Sequence, residues 1–262
     1  MTIDRTRRTT FNDVADLYDE VRPRYPAQLI DDIIAFSQIP DRGRILEIGC
    51  GPGNATVAFA GRGYKMLGIE LGARLAALAV KNCRAYPDVK IINASFEDWQ
   101  LEEKSFDLVI SAEAFHWIPP EIAYPKAAHA LNDSGTAALF WIIYQYPETE
   151  IYKALNDVYR RIAPAFDNPS KSITPEWLTT QITGNFAESK YFGVVDVKQY
   201  SWSVTYTAEH YIKLISTFSV HDQLEAETRK TIFENIRAVI ENFGGQIAQP
   251  YLAVLFQAKS KC

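Results

Sequence analysis

Short apolar runs recur through the first half of the chain, and between them apolar residues return every three or four positions. Arg44–Ile48, Lys65–Glu70, Val89–Asn93, Phe106–Ser111 ("FDLVIS") and Thr136–Ile143 read as five strands. Asn54–Ala60, the Ala- and Leu-rich Ala73–Ala85, and Pro119–Leu131 read as the helices that alternate with them, the last ended by a turn at Asp133–Gly135. Alternation of this kind builds a parallel sheet covered by helices, an α/β fold. Two helical pieces come first, Phe11–Tyr18 and Ala27–Phe36, divided by the proline-rich "RPRYP". After residue 145 the pattern loosens. Glu148–Ala163, a short Pro175–Ile182, Ala208–Phe218 and Glu225–Asn242 read as helices, whereas Val194–Thr205 and the closing Ile247–Ala258 read as strands.

The composition leaves this picture unchanged and narrows the partners. With 262 residues, 47% of them apolar, one sizeable core is expected, and the whole of 1–262 is read as a single domain. Net charge is −5 with a pI near 5.5, which disfavours a nucleic-acid binder, whose contact face is basic. The one basic cluster, Arg5, Arg7 and Arg8, reads as a solvated arm. Cys50, Cys83 and Cys262 have neither disulfide-framework nor metal-ligand spacing, so no metal is expected. No apolar run has the ~18 residues of a membrane span, and the start lacks a secretory stretch. A cytoplasmic chain without membrane partners is the expectation.

The chemistry concentrates after the first strand, in "ILEIGCGPGNAT" (Ile45–Thr56). A dinucleotide fingerprint is G-x-G-x-x-G/A; here Gly49 and Gly51 fit, but the third position is Asn54 and the glycine falls at Gly53. A phosphate-binding P-loop is excluded, because no Gly-Lys-Ser/Thr follows. Glu70 closes the second strand, where a carboxylate holds both hydroxyls of a ribose.

The string E-x-G-x-G-x-G after a strand, Glu47 to Gly53, resembles motif I of the class I S-adenosylmethionine-dependent methyltransferases. "FNDVADLYDEVRPRYP" (Phe11–Pro26) and "SAEAFHW" (Ser111–Trp117) resemble its small-molecule, trans-aconitate methyltransferase-like branch. The resemblance covers residues 11–143 and implies a Rossmann-like, doubly wound, mostly parallel seven-stranded sheet. It implies N-terminal helices (11–40) over the cofactor, a cofactor-binding core (41–145), and C-terminal completion of the sheet with a helical insertion (191–262). The segment 146–190 is longer than a minimal doubly wound fold needs and is expected to form a helical cap.

Residue by residue, the resemblance places S-adenosylmethionine against Gly49, Cys50 and Gly51, where side chains would collide with it. Glu47 is implied near its amino group, Glu70 on the ribose, and Leu71 on the adenine. "NASFEDW" puts Ser95 where the family carries an adenine-contacting Asp, with the Phe96 N–H beside it; Glu97 and Asp98 are alternatively caps of the next turn. Tyr18 and Arg22 are expected over the carboxylate end. Ser111 and Ala112 are implied as further cofactor-binding residues, and His116 and Trp117 are expected along the methyl-transfer site, with Trp117 facing the substrate. His116 is either a general base or a wall of the pocket, and the activated donor favours the wall. The implied reaction is in-line methyl transfer to a small molecule, a carboxylic acid first, with Arg22, Arg24 or a cap residue as anchor. The alternatives are a non-catalytic regulator that binds the same cofactor and an NAD-linked oxidoreductase, the latter disfavoured by Asn54 and Glu47.

Overall fold

The computed structural model describes residues 15–166 and 173–261. The basic arm, the first four residues of the predicted helix Phe11–Tyr18, and Cys262 lie outside them. In chain order the elements are α1 (Ala15–Val21), α2 (Ala27–Ser37), β1 (Arg44–Ile48), α3 (Asn54–Ala60), β2 (Lys65–Glu70), α4 (Ala73–Asn82), β3 (Val89–Asn93) and β4 (Phe106–Ala112). They continue with α5 (Pro120–Ala130), β5 (Leu131–Tyr144), α6 (Glu150–Ile162), α7 (Pro175–Ser189), β6 (Asp196–Thr207), α8 (Ala208–Ser216), α9 (Ala226–Asn242) and β7 (Gln246–Lys259).

The strands form one sheet in the order β3-β2-β1-β4-β5-β7-β6. β1 to β5 run parallel, and β7 runs antiparallel to both of its neighbours. Helices cover both faces, which is why the central strands are continuous apolar runs. Alternate residues of each strand serve opposite faces. Ile45, Met66, Leu108, Ile110 and Phe140 pack under α2 and α3, whereas Leu46, Leu67, Val109, Leu139 and Trp141 pack under α5 and α7. The chain leaves β1 toward β2 on one side and pairs with β4 on the other. The carboxyl ends of β1 and β4 therefore flank the point where strand order reverses, the place where open α/β sheets bind ligands.

Two elements differ from the sequence reading for physical reasons. α7 runs on to Ser189, beyond the expected Ile182, because Leu178, Ile182 and Phe186 sit one helical turn apart and are all buried on the sheet. β5 begins at Leu131, where a turn at 133–135 was expected: Phe106 pairs with Leu131, and a register shift follows before Leu108 pairs with Thr136.

The segment 146–190 does not form one cap. α7 covers the sheet, while α6 packs with α8 and α9 around Tyr152, Leu155, Tyr211, Leu214, Ile232 and Ile236. α1 docks on that second unit. Val21 joins its apolar cluster, and Glu20 pairs with Lys213 at 2.9 Å. Among the described residues, no helix is long and apolar enough to cross a membrane.

Candidate active site

A cavity opens along the carboxyl ends of β3, β2, β1 and β4. The loop after β1 forms its floor. Gly49, Gly51 and Gly53 all have positive φ, at 69°, 55° and 92°. The N–H groups of Gly49 and Cys50 both donate to Ile69 O, at 2.8 and 3.1 Å, which ties the loop to the end of β2. A Cβ on Gly49 would stand 2.3 Å from Ala114 Cβ, so that position accepts no side chain. A Cβ on Gly51 would meet no protein atom within 4 Å. The collision expected at both glycines therefore has different partners: the far wall of the protein at Gly49, and only a ligand at Gly51.

Glu70 is buried beneath this loop. Its Oε2 accepts from Gly51 N at 2.8 Å and its Oε1 from Gly72 N at 2.7 Å. Burial raises its pKa, and the backbone N–H groups of Gly72, Gly51 and Leu71 oppose that rise. A carboxylate has about four acceptor positions. The backbone N–H groups leave part of that capacity, and the side chain lines the cavity.

Glu47 is fully buried and accepts from Thr56 Oγ1 at 2.5 Å. Burial pushes its pKa up to about 8; the Thr56 hydrogen bond opposes this and the Glu70 charge adds to it. Between its ordinary value of 4.5 and about 8, the folded chain thus holds a proton that the unfolded chain has released. This contribution to stability is complete below pH 4.5 and is lost as pH rises through 8. Glu47→Gln removes it. The thermal midpoint of the ligand-free variant is expected to fall less than wild type's between pH 5 and pH 9, as scanning calorimetry would show.

The other predicted residues divide into those the structure brings to the cavity and those it does not. Tyr18, Cys50, Leu71, Ser95, Phe96, Ala112 and Trp117 line it together with Glu47, Gly49, Gly51 and Glu70. The Ser95 hydroxyl, however, donates to Asp98 Oδ2 at 2.6 Å and accepts from Asp98 N at 3.0 Å. That reciprocal pair caps the turn, the alternative the sequence offered for Asp98.

Arg22, Ser111 and His116 lie outside the lining. Arg22 is part-buried and ties α1 to the second helical unit. Its Nε donates to Thr217 Oγ1 at 3.1 Å, its Nη2 to Thr217 O at 3.2 Å, and its Nη1 to the Tyr144 hydroxyl at 3.1 Å. The guanidinium lies 4.5 Å from the ring centre of Tyr18 and 5.2 Å from that of Phe218. It fixes the aromatic wall that Tyr18 presents. Ser111 is fully buried and donates to Ile48 O at 2.7 Å, joining the ends of β4 and β1 beneath the site.

His116 stands behind Trp117, with ring centres 4.7 Å apart, and its Nδ1 accepts from Trp141 Nε1 at 2.9 Å. Burial lowers its pKa to about 4, so the ring is neutral at pH 7. His116 therefore lies behind the cavity lining and supports Trp117, which lines it.

Sequence reasoning missed Tyr25, Asn54 and Glu113, which all line the cavity. Asn54 Oδ1 is buried there with no donor in the described structure. Glu113 follows β4 directly with φ of 58°, a left-handed conformation uncommon for any residue but glycine, asparagine and aspartate. Its position inside "SAEAFHW", just past a central strand, was the available signal.

Residues 45–135 match the family model described as a methyltransferase domain. A Saccharomyces cerevisiae protein described as a probable S-adenosylmethionine-dependent methyltransferase is 33% identical over 147 residues, 55% of this chain and 50% of that protein. The trans-aconitate 2-methyltransferase of Variovorax paradoxus is 28% identical over 125 residues, 47% of this chain and 46% of that enzyme. The chain spans about half the length of the first relatives it matches. Among solved structures, a Haemonchus contortus phosphoethanolamine N-methyltransferase in complex with phosphomonomethylethanolamine and S-adenosylhomocysteine superposes with a TM-score of 0.55 at 15% identity. That match covers 99% of this chain and 60% of the other. The fold is that of the class I methyltransferases, and the matched residues 45–135 run from β1 into the start of β5.

Proposed function

We propose that this chain transfers the methyl group of S-adenosylmethionine to a small-molecule acceptor. The observation that carries the reading is Glu70, a buried carboxylate bonded to the glycine loop whose side chain lines the cavity. The residues present fit the cofactor. Glu70 suits the ribose hydroxyls, the orphaned Asn54 Oδ1 suits a donor such as the α-ammonium group, and Leu71 and Phe96 give an apolar berth for the base. When bound, the sulfonium supplies an already activated methyl group. What remains for the chain is to bind, orient and exclude water. Tyr18 and Trp117 present aromatic faces to the cavity, which favour a cation by about 1 kcal/mol or more where water is excluded.

The charge of the lining bears on the acceptor. Glu47, Glu70, Glu97 and Glu113 face the cavity, and among the described residues no Lys, Arg or His does. Arg22 is engaged with Thr217 and Tyr144, and the exposed Arg24 pairs with Asp19 at 3.2 Å. The carboxylic acid suggested by the family resemblance would find no cationic anchor among these side chains. The lining instead favours a neutral or cationic acceptor.

Turnover of S-adenosylmethionine across a metabolite panel tests the proposal. Methyl transfer to a small molecule is expected; transfer confined to protein or nucleic acid contradicts it. In the same assay His116→Gln should lower the rate by less than about tenfold, short of the 10²–10⁴ that loss of a general base brings. A larger loss, with the acidic limb of the wild-type pH profile missing from the variant, would restore His116 as a base.

A further inference from the structure

Glu113 is the polar group at the end of the cavity farthest along the sheet from Leu71 and Ser95. It sits at the carboxyl end of β4, beside the Ala114 that packs against Gly49. Its backbone is held in place, because its N–H donates to Phe140 O at 2.9 Å although its φ is 58°. Strain of this kind persists where the surroundings over-determine a residue, and it clusters at functional sites.

The carboxyl group is aimed but not saturated. The Tyr25 hydroxyl reaches Oε2 only at 3.5 Å, longer than a good O–H···O bond. Tyr25 is itself held edge-on against Phe140, with ring centres 4.9 Å apart, and lines the same cavity. Arg22 acts on Glu113 from a distance, with no ion pair between them in the described structure. Glu113 also takes a hydrogen bond from the Ile142 backbone N–H, and among the described residues no Lys, Arg or His lines the cavity, which leaves a bound ligand to supply any further donor there.

We propose that Glu113 takes the proton of an N–H or O–H acceptor, so that the chain methylates an amine or a hydroxyl, with Tyr25 orienting the carboxylate. This rests on the methyltransferase reading above. The acceptor nitrogen or oxygen uses its lone pair to bond the methyl carbon, the electron pair of the breaking carbon–sulfur bond stays on sulfur, and the released proton ends on Glu113. Burial raises the Glu113 pKa, while Arg22, the Ile142 backbone N–H and the Tyr25 hydroxyl hold it down. A raised carboxylate pKa makes a stronger proton acceptor near neutrality. The other titratable groups that act with it at this end are Tyr18 and Tyr144.

The test uses the full chain, methyl-tritiated S-adenosylmethionine and the small-molecule fraction of a cell extract. Labelled product is then treated with base, which releases methanol from methyl esters and leaves N-methyl groups and methyl ethers intact. Base-stable label is expected. Glu113→Gln should cut its formation by about 10²-fold or more, with S-adenosylhomocysteine affinity unchanged and the acidic limb of the pH profile gone. Glu113→Asp should restore part of the rate. In the ligand-free chain labelled with carbon-13 glutamate, infrared titration should show a carboxyl above the ordinary range that disappears in Glu113→Gln. Base-labile product, a wild-type rate in Glu113→Gln, or an unchanged infrared titration would overturn the inference and leave cofactor binding standing. Absence of S-adenosylhomocysteine binding, or of any labelled small molecule, would remove the methyltransferase reading and this inference with it.

Discussion

Gly49→Ala is expected to abolish S-adenosylhomocysteine binding. The position has φ of 69°, a region that costs an L side chain about 1–2 kcal/mol on its own. The larger effect is steric. The added Cβ would fall 2.3 Å from Ala114 Cβ, with neither atom on a flexible side chain, so the backbone has to move. The strand end behind it resists, because the N–H groups of Gly49 and Cys50 share Ile69 O. Any shift carries Gly51 with it and breaks the Gly51–Glu70 hydrogen bond that joins the loop to the carboxylate. Gly51→Ala is the control: its φ of 55° strains the backbone similarly, but no protein atom lies within 4 Å of the new methyl. Calorimetry and thermal melts should separate the two. Gly49→Ala loses both stability and binding, whereas Gly51→Ala keeps more of its stability and loses binding through contact with the ligand. Equal stability losses in the two variants would contradict the packing assigned to Ala114.

Glu70→Ala is expected to weaken the same ligand by about 1–3 kcal/mol, from lost hydrogen bonds to a charged acceptor. The structure places the effect toward the upper end, since the carboxylate also organises Gly51 and Gly72 from below. Glu70→Gln should not rescue it. One oxygen becomes an amide that points donor against donor at a backbone N–H of Gly51 or Gly72. Titration calorimetry on both variants checks this, and near-wild-type affinity in Glu70→Gln would show that the carboxylate charge is irrelevant.

The core of the fold was legible because its strands are buried on both faces and end in glycine or an acid. "RILEI", "KMLGIE" and "FDLVIS" have no other comfortable conformation, and the glycine spacing marks where the first turn must be. The C-terminal half was harder to read. α7 passes through Thr179, Thr180 and Gly184, poor helix formers, and only burial of Phe186 shows why it continues. That Glu47, Gly49, Cys50 and Gly51 line the cavity followed from the glycine spacing, because backbone geometry dictates their place. Arg22 and His116 lie outside the lining because their partners are remote in sequence: Thr217 lies 195 positions from Arg22, and Trp141 lies 25 from His116. No local pattern announces such pairs. Glu113 was missed for the opposite reason. It is an ordinary glutamate until its left-handed backbone and its place between Tyr25 and Ala114 are seen.

The central claim is that this cavity is built for a sulfonium nucleoside and not for a dinucleotide. Titration of the ligand-free chain with S-adenosylhomocysteine and, separately, with NAD tests it most directly. Saturable one-to-one binding of S-adenosylhomocysteine, lost in Gly49→Ala and weakened in Glu70→Ala, with no heat from NAD, is the predicted result. Tight binding of NAD with no response to S-adenosylhomocysteine would contradict it.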